Sequence, residues 1–309
     1  MSRRIKFRHL DAFSAIARAG SFKKAATELN LTQPAISKAL KELEDIIGAT
    51  LMERDRSGIK LTQKGEVFLQ FAEQSTAALR HGLRSVRSSV DANEHLSIGV
   101  LPSVASGLLP SAVSSFLDGN PDTLLEVHEG PHSDLTSRLR SGKLDLVIGR
   151  LGSPQSMQGL VFRQLYSEEV VVVASPHSNA TAINLFEDLE QFRVLYPPQD
   201  SAIRPLVARM LISRGVPLFR NRIETASAAF GRALLLSDPD TIWVISRGVV
   251  HNDIQEGRLV RLEIETGPTV GAVGIMSIAD DVPTPAIRAF CSFLARAVKQ
   301  YADEDNNLT

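Results

Sequence analysis

Residues 20–48, GSFKKAATELNLTQPAISKALKELEDIIG, constrain this chain most, because their spacing fits two short helices joined by a tight turn. Ser21 is placed to cap the first, since its hydroxyl can accept from amides that a first turn leaves unpaired. Phe22, Ala25, Ala26 and Leu29 recur at i, i+3, i+4 and i+7, a narrow apolar stripe whose alanine pair lets another helix cross closely. Asn30 and Leu31 fall in the turn. Thr32 is a second cap, and Pro34 occupies the next first turn, where a missing N–H costs nothing. Ile36, Leu40, Leu43, Ile46 and Ile47 then face inward, while Gln33, Ser37, Lys38 and Lys41 face out.

The outward face carries chemistry. Amides and hydroxyls read base edges, lysines hold phosphates and a helix N-terminus favours anions, so the second helix has the make-up of one that enters a DNA major groove. The plain alternative is a helical hairpin with a solvated polar face, and the flanks argue against it. Upstream, Phe7 to Ala19 offers Leu10, Phe13, Ile16 and Ala17 as a third packing helix. Downstream, LMERDRSGIKLTQKG reads as a hairpin with Ser57-Gly58 at its tip, before Thr62 caps a further helix. Arg54, Arg56 and Lys60 of this wing can reach a phosphate backbone or minor groove.

The order F-x-A-x-A-x-x-G-S-F-x-x-A-A-x-x-L-x-x-x-Q-P-A-I-S-K-x-L-x-x-L-E, followed by G-x-x-L-x-x-R and L-T-x-x-G, resembles the LysR-type transcriptional regulators, densely so over residues 7–65. The resemblance implies a winged helix-turn-helix DNA-binding domain over 1–65. Double-stranded promoter DNA and RNA polymerase are its implied partners. Thr32, Gln33, Pro34, Ser37, Lys38, Lys41, Arg54, Arg56 and Lys60 are the expected DNA-binding residues.

Charge follows the same division. Residues 1–90 hold 16 Lys+Arg against 9 Asp+Glu, a net +7, whereas the remainder holds 18 against 26, a net −8. A polyanion partner is therefore expected at the N-terminal end only. With 309 residues the chain exceeds one ordinary domain. Cys291 is the sole cysteine, so no intrachain disulfide forms; on the stripe of Ile287, Phe290 and Leu294 it reads as a buried structural thiol rather than a redox sensor. No N-terminal apolar segment and no run of about 18 apolar residues occurs, so a cytoplasmic chain without membrane contact is expected.

From Thr62 to Val90 a helix of about 28 residues, about 40 Å long, is expected. Its apolar positions include Val67, Phe68, Phe71, Ala72, Ala78, Leu79, Leu83 and Val86. That face is longer than a small winged domain covers. Pairing with the same helix of a second copy, through Val67, Phe68, Phe71 and Leu79, gives a two-fold dimer with two reading heads, as the resemblance also implies. Packing against its own domain is the alternative. Lobe contacts are expected to raise the dimer to a homotetramer.

Residues 62–90 thus form a linker helix and 91–95 (DANEH) a hinge, ahead of an effector-binding domain over 96–309. There, strands at 96–101, 124–130 and 145–151 alternate with helices at 104–117 and 133–143, which calls for a parallel sheet with right-handed crossovers. A second run has strands at 169–176, 192–198, 221–224, 241–246 and 259–264, with helices at 201–214, 228–236 and 249–256. Strand 272–278 and the helix from Thr284 to about Tyr301 return to the first sheet. The result is two α/β lobes, about 96–167 with 268–302 and about 168–267, the periplasmic-binding-protein-like fold that the resemblance implies. No internal repeat is present, and the NNLT tail is expected to be disordered.

In open α/β sheets ligands sit at the carboxyl ends of strands, where helix N-termini point free amides. Those positions hold Ser103, Arg150, Ser201, Arg204 and Ser227, with Arg232 as a weaker candidate. Each serine alone is more readily a structural helix cap; their convergence on one cleft is what points to a ligand. Arginine at a strand end or in a first helical turn suits a bidentate carboxylate, so a small organic anion is expected. SEEVVVVA, the IRP after Ser201, IETxSxxFGRA and IWVISxGVVxND are similar to LysR-type activators of protocatechuate-degradation (pca) operons in alphaproteobacteria. That likeness implies a tricarboxylic ring-cleavage intermediate, a carboxymuconate, as co-inducer; a galactose- or sugar-responsive relative is the alternative. An enzyme is not expected: no HExxH, no paired ligand spacing and no Gly-rich phosphate loop occurs, so neither metal nor cofactor is foreseen. A solute-capture protein would share the second domain but has no use for the basic head.

Overall fold

The computed structural model describes residues 5–55, 58–88, 94–279 and 282–306. The chain divides into two compact units, Met1–Val90 with Arg140–Lys143, and Asp91–Leu139 with Leu144–Thr309.

In the first unit, α1 (Phe7–Ala19), α2 (Phe22–Glu28) and α3 (Gln33–Ile47) precede the hairpin β1 (Met52–Asp55) and β2 (Gly58–Leu61) and the long α4 (Gln63–Ser88). The expected caps form: Ser21 accepts from the Lys24 amide at 3.5 Å and Thr32 from the Ala35 amide at 3.4 Å. Ala25 and Ala26 are buried where the helices cross, beside Phe13, Ile16, Ile36 and Leu43. Glu44 of α3 accepts the Leu51 and Met52 amides at 2.7 and 3.2 Å, which fixes the wing against the end of that helix. The hairpin registers Met52 with Leu61 and Asp55 with Gly58. Thr62 caps α4 by accepting the Gly65 amide at 3.0 Å. A Cβ at Gly65 would lie 2.0 Å from the Leu51 carbonyl, so this helix can start here only on glycine.

One expectation for α4 is corrected. Phe68 does not belong to an outer seam: its ring packs on Phe13 at 5.5 Å, and the side chain is half-buried in the core of its own unit. The turn of the helix separates it from Val67, Phe71, Leu79 and Leu83, which are 55%, 61%, 45% and 52% exposed. Ala72 likewise faces the core. The Val86 side chain, residues 89–90 and hinge residues 91–93 lie outside the described residues; His95 already begins a strand.

The second unit holds two five-stranded sheets. In the first lobe the order is β4 (Leu124–Glu129), β3 (His95–Val100), β5 (Leu146–Arg150), β12 (Gly271–Ile278), β6 (Leu160–Glu168). β3 runs parallel to β4 and β5, as expected, whereas β12 is antiparallel to β5 and β6. In the second lobe the order is β11 (Val260–Arg261), β7 (Val170–Ala174), β10 (Thr241–Ser246), β8 (Arg193–Tyr196), β9 (Arg222–Glu224). The helices are α5 (Pro102–Ser106), α6 (Leu109–Gly119), α7 (His132–Arg140), α8 (Arg204–Ser213), α9 (Ala228–Ser237), α10 (Arg247–Gln255) and α11 (Pro285–Asn306). Each lobe has its own core, around Phe116, Ile148 and Phe290 in one and Val172, Val194 and Val244 in the other. The chain crosses between lobes twice, at Glu168-Glu169 and between β11 and β12.

Three elements depart from expectation. β6 was not foreseen, because LVFRQLYSE lies on a sheet edge and carries no continuous apolar run. The helix expected over 104–117 is two, α5 and α6, because Pro110 near the second start has no N–H to continue the first. The helix expected from 201 starts at Arg204, with Pro205 in its first turn and Ser201 ahead of it. Cys291 is half-buried rather than buried; burial pushes its thiol up, opposed by Arg163.

Candidate functional site

On α3 the N-terminal turns hold Thr32, Gln33, Pro34, Ser37, Lys38 and Lys41 outward, all exposed. Gln33, Ser37 and Lys41 follow one another at four-residue steps along a single face. Lys38 leans toward Glu42 at 3.9 Å, and Glu42 also meets His9 at 3.0 Å and Arg8 at 3.2 Å. The hydrogen bond from His9, with those from Arg8 and the Lys38 charge, holds the Glu42 carboxyl below the usual range. This carboxylate ties α3 to α1. Lys60 is exposed on β2. The Arg54 side chain and Arg56 lie outside the described residues.

In the second unit the strand ends converge on a cavity of about 200 Å³. Its wall is built from the turns after β3 and β4 (Leu101, Ser103, Gly130, His132), the end of β5 (Arg150), the approach to α8 (Asp200, Ser201, Ile203) and the start of α10 (Ser246, Val249). Both lobes contribute. Of the expected effector residues, Ser103, Arg150 and Ser201 are therefore brought together.

The other three are not, and each has a local reason. Arg204 donates to the Pro197 carbonyl at 2.6 Å, pairs with Glu224 at 3.1 Å and stacks over the Tyr196 ring at 4.5 Å. Glu224 ends β9, beside β8, and takes the guanidinium away from the cavity. Ser227 is a helix cap, accepting the Phe230 amide at 3.2 Å. Arg232 donates to Asp253 at 2.7 Å and to the Val249 carbonyl, so it fastens α9 to α10.

Arg150 is 4% exposed and sits in a polar knot. Its Nη2 lies 3.4 Å from Glu168 Oε2, and its Nη1 donates to the Thr269 carbonyl at 3.2 Å. Glu168, 2% exposed, also accepts the Gly248 amide at 2.9 Å and a bond from the Ser103 hydroxyl. Burial pushes the Glu168 carboxyl above its usual value; Arg150, the Gly248 amide and Ser103 oppose the shift. A Cβ at Gly248 would lie 2.6 Å from both Glu168 Oε1 and the Ser103 carbonyl, so the close approach of α10 needs glycine. Glu168 and Gly248 escaped the sequence reading; the one signal was a Glu pair directly before the buried VVVVA strand. Among the described residues no group of three His, Cys, Asp or Glu side chains gathers to hold a metal, and no helix is long and apolar enough to cross a membrane.

Two family profiles match the chain: "Bacterial regulatory helix-turn-helix protein, lysR family" over residues 7–66 and "LysR substrate binding domain" over residues 91–299. The chain belongs to the LysR family of transcriptional regulators. It is 41% identical to the transcriptional regulator PcaQ of Agrobacterium fabrum over 307 residues, covering 98% of this chain and 97% of that one. It is 32% identical over 301 residues to the regulator YdcI of Escherichia coli, covering 97% and 96%. Among solved structures, CbnR, a LysR family transcriptional regulator, aligns with a TM-score of 0.53 at 21% identity over 94% of this chain and 100% of that one. ArgP from Mycobacterium tuberculosis aligns with a TM-score of 0.63 at 19% identity over 94% and 96%. These two likenesses are of fold. As a LysR-family member the chain is a DNA-binding transcription regulator with an effector-binding domain, and not an enzyme.

Proposed function

We propose that this LysR regulator activates an operon for aromatic-acid catabolism, that of protocatechuate degradation, in response to a small polycarboxylate. The observation that carries the reading is the 41% identity with PcaQ along 98% of the chain. Residues 1–65 read promoter DNA with Gln33 and Ser37 while Lys38, Lys41 and the wing hold phosphate. Residues 62–90 pair two copies, 91–95 act as hinge, and 96–309 sense the effector. The assembly is a cytoplasmic homotetramer that engages RNA polymerase. In the cavity, Arg150 offers a guanidinium fork and Ser103 and Ser201 offer hydroxyls, a donor set suited to carboxylate oxygens. Carboxymuconate is the favoured co-inducer.

Calorimetry on the full-length protein with carboxymuconate, protocatechuate, cis,cis-muconate and galactose tests this. Carboxymuconate is expected to bind, and Arg150→Ala to weaken it by tenfold or more. Galactose heat without any carboxylate response would refute the polycarboxylate reading. One feature favours that second, sugar-responsive reading: Glu129 and Asp200 also line the cavity and oppose a highly charged anion.

A further inference from the structure

One buried carboxylate lies behind the cavity wall rather than on it. Glu168 ends β6 at the first crossover, and its partners come from both lobes: Arg150 on β5, Ser103 on α5 and the Gly248 amide on α10. Through Arg150 it is joined to the Thr269 carbonyl, close to the second crossover. Two of these partners, Arg150 and Ser103, are themselves cavity-lining groups. The ion pair is slack. Its 3.4 Å contact is longer than the 2.7–2.9 Å of a well-made charge-assisted bond, and Arg150 Nε has no hydrogen-bond partner among the described residues. An entering carboxylate therefore finds a buried guanidinium that is held but under-bonded.

We propose that Glu168 is a resident carboxylate which the effector's carboxylate displaces from Arg150 and Ser103, and that Glu168 leaves the pair as a neutral acid after taking one proton from solvent. The proposal rests on the effector occupying this cavity. Its warrant is charge balance in a buried place. With the ligand in, two carboxylates would share one guanidinium, and like charges so close do not both stay ionised. One ligand carboxylate and one solvent proton enter, a single O–H bond forms on Glu168, and the Arg150 guanidinium again pairs with a single carboxylate.

The surroundings favour Glu168 as the acceptor. Facing it are Arg150, Ser103, the Gly248 amide and Arg247 of α10, with Tyr166 on its own strand. Behind Tyr166 stack Tyr301 of α11 at 5.6 Å and, on Tyr301, His251 of α10 at 4.6 Å. Burial pushes the Tyr166 phenol up, so it holds its proton at neutral pH and donates none to Glu168. Burial already disfavours the charged form of Glu168, and losing Arg150 removes the main opposing charge. The neutral acid still accepts the Gly248 amide through its carbonyl oxygen, so the lobes stay joined by a weaker, uncharged contact. Ligand arrival is thereby passed to the crossover without any movement being required at the ligand itself.

The test titrates the full-length protein with carboxymuconate in two buffers of different ionisation enthalpy between about pH 6 and 8, where the probe's carboxylates are ionised. About one proton should be taken up per ligand, and affinity should rise as pH falls by up to about tenfold per unit. Glu168→Gln, which keeps the shape, should abolish both effects, whereas His132→Asn, which alters the cavity wall and with it the affinity, should still take up about one proton per ligand. Uptake that persists in Glu168→Gln, or vanishes in His132→Asn, overturns the proposal. Binding that Arg150→Ala weakens but that carries no proton overturns it too, while the effector reading stands. Carboxymuconate that gives no heat, or that binds equally well to Arg150→Ala, removes the effector reading and this proposal with it. If Glu168→Gln does not fold, the wild-type proton count and His132→Asn decide alone.

Discussion

Gln33 stands in the first turn of α3 with its carboxamide in solvent, one turn before Ser37, with Lys41 a further turn along that line and Lys38 beside it. A carboxamide makes paired bonds to an adenine edge, whereas an ammonium finds any phosphate. Gln33→Ala should therefore cost roughly 1–3 kcal/mol on the preferred site and relax sequence preference there. Lys38→Ala should instead weaken every sequence alike and reduce the salt slope by about one. Competition binding over a salt series separates the two; an unchanged sequence profile for Gln33→Ala would remove its reading role. The same scale marks the limit of what sequence reveals. The positions of Ser103, Arg150 and Ser201 on one cavity wall were legible because strand ends and the helix starts that follow them define where such side chains go. Arg204 and Arg232 were not, because their direction is set by Glu224 and Asp253, carboxylates on other elements that only folding brings beside them. Ser227 shows the ambiguity of serine at a helix start: it caps α9 and is not part of the cavity wall. Glu168 was hidden for a related reason: its partners, at 103, 150 and 248, are distant in the chain.

At the scale of elements, α4 makes the sharpest claim. Its two faces differ: Phe68 and Ala72 turn to the core, while Val67, Phe71, Leu79 and Leu83 leave a large apolar stripe in solvent. A second copy of the helix is the occupant that a two-fold symmetric reader requires. Phe71→Asp should then split the dimer by burying a charge in the seam, and leave the head folded. Phe68→Ala should do the reverse. It should lower the head's stability by roughly 1–3 kcal/mol, below the full core value because the ring is half-buried, and spare the assembly. Sedimentation and urea melts of both variants decide this, and a Phe71→Asp protein that sediments like wild type would sink the seam. Elements were readable where burial imposed a pattern. β5, β7 and β10 are buried almost throughout and appear as apolar runs, and the head's caps and stripes set its helices. β6 was unreadable because an edge strand with Arg163 and Gln164 needs no such run. The break between α5 and α6 hid in the strength of the apolar stripe on either side.

For the whole molecule, the division of charge puts affinity for a polyanion in residues 1–90, at +7, and leaves the sensing unit at a net −8. Sensing matters to transcription only if the two activities are energetically coupled, since a ligand shifts an arrangement only by binding one form better than another. Coupling is reciprocal: whatever factor the effector applies to DNA affinity, DNA must apply to effector affinity. At the lobe boundary the missing Cβ of Gly248 lets α10 approach Ser103 and Glu168. Carboxymuconate affinity should thus change by about 5- to 150-fold between free protein and protein saturated with its own upstream DNA. Gly248→Ala, which pushes α10 from the first lobe, should shrink that factor toward one. Both numbers come from one calorimetric series with and without DNA, matched by DNA titrations with and without carboxymuconate. Equal effector affinities in the two wild-type series would mean that the cavity does not regulate DNA affinity. The regulator would then have to act through where its paired heads lie on the promoter, which a footprint of changed length and unchanged midpoint concentration would reveal.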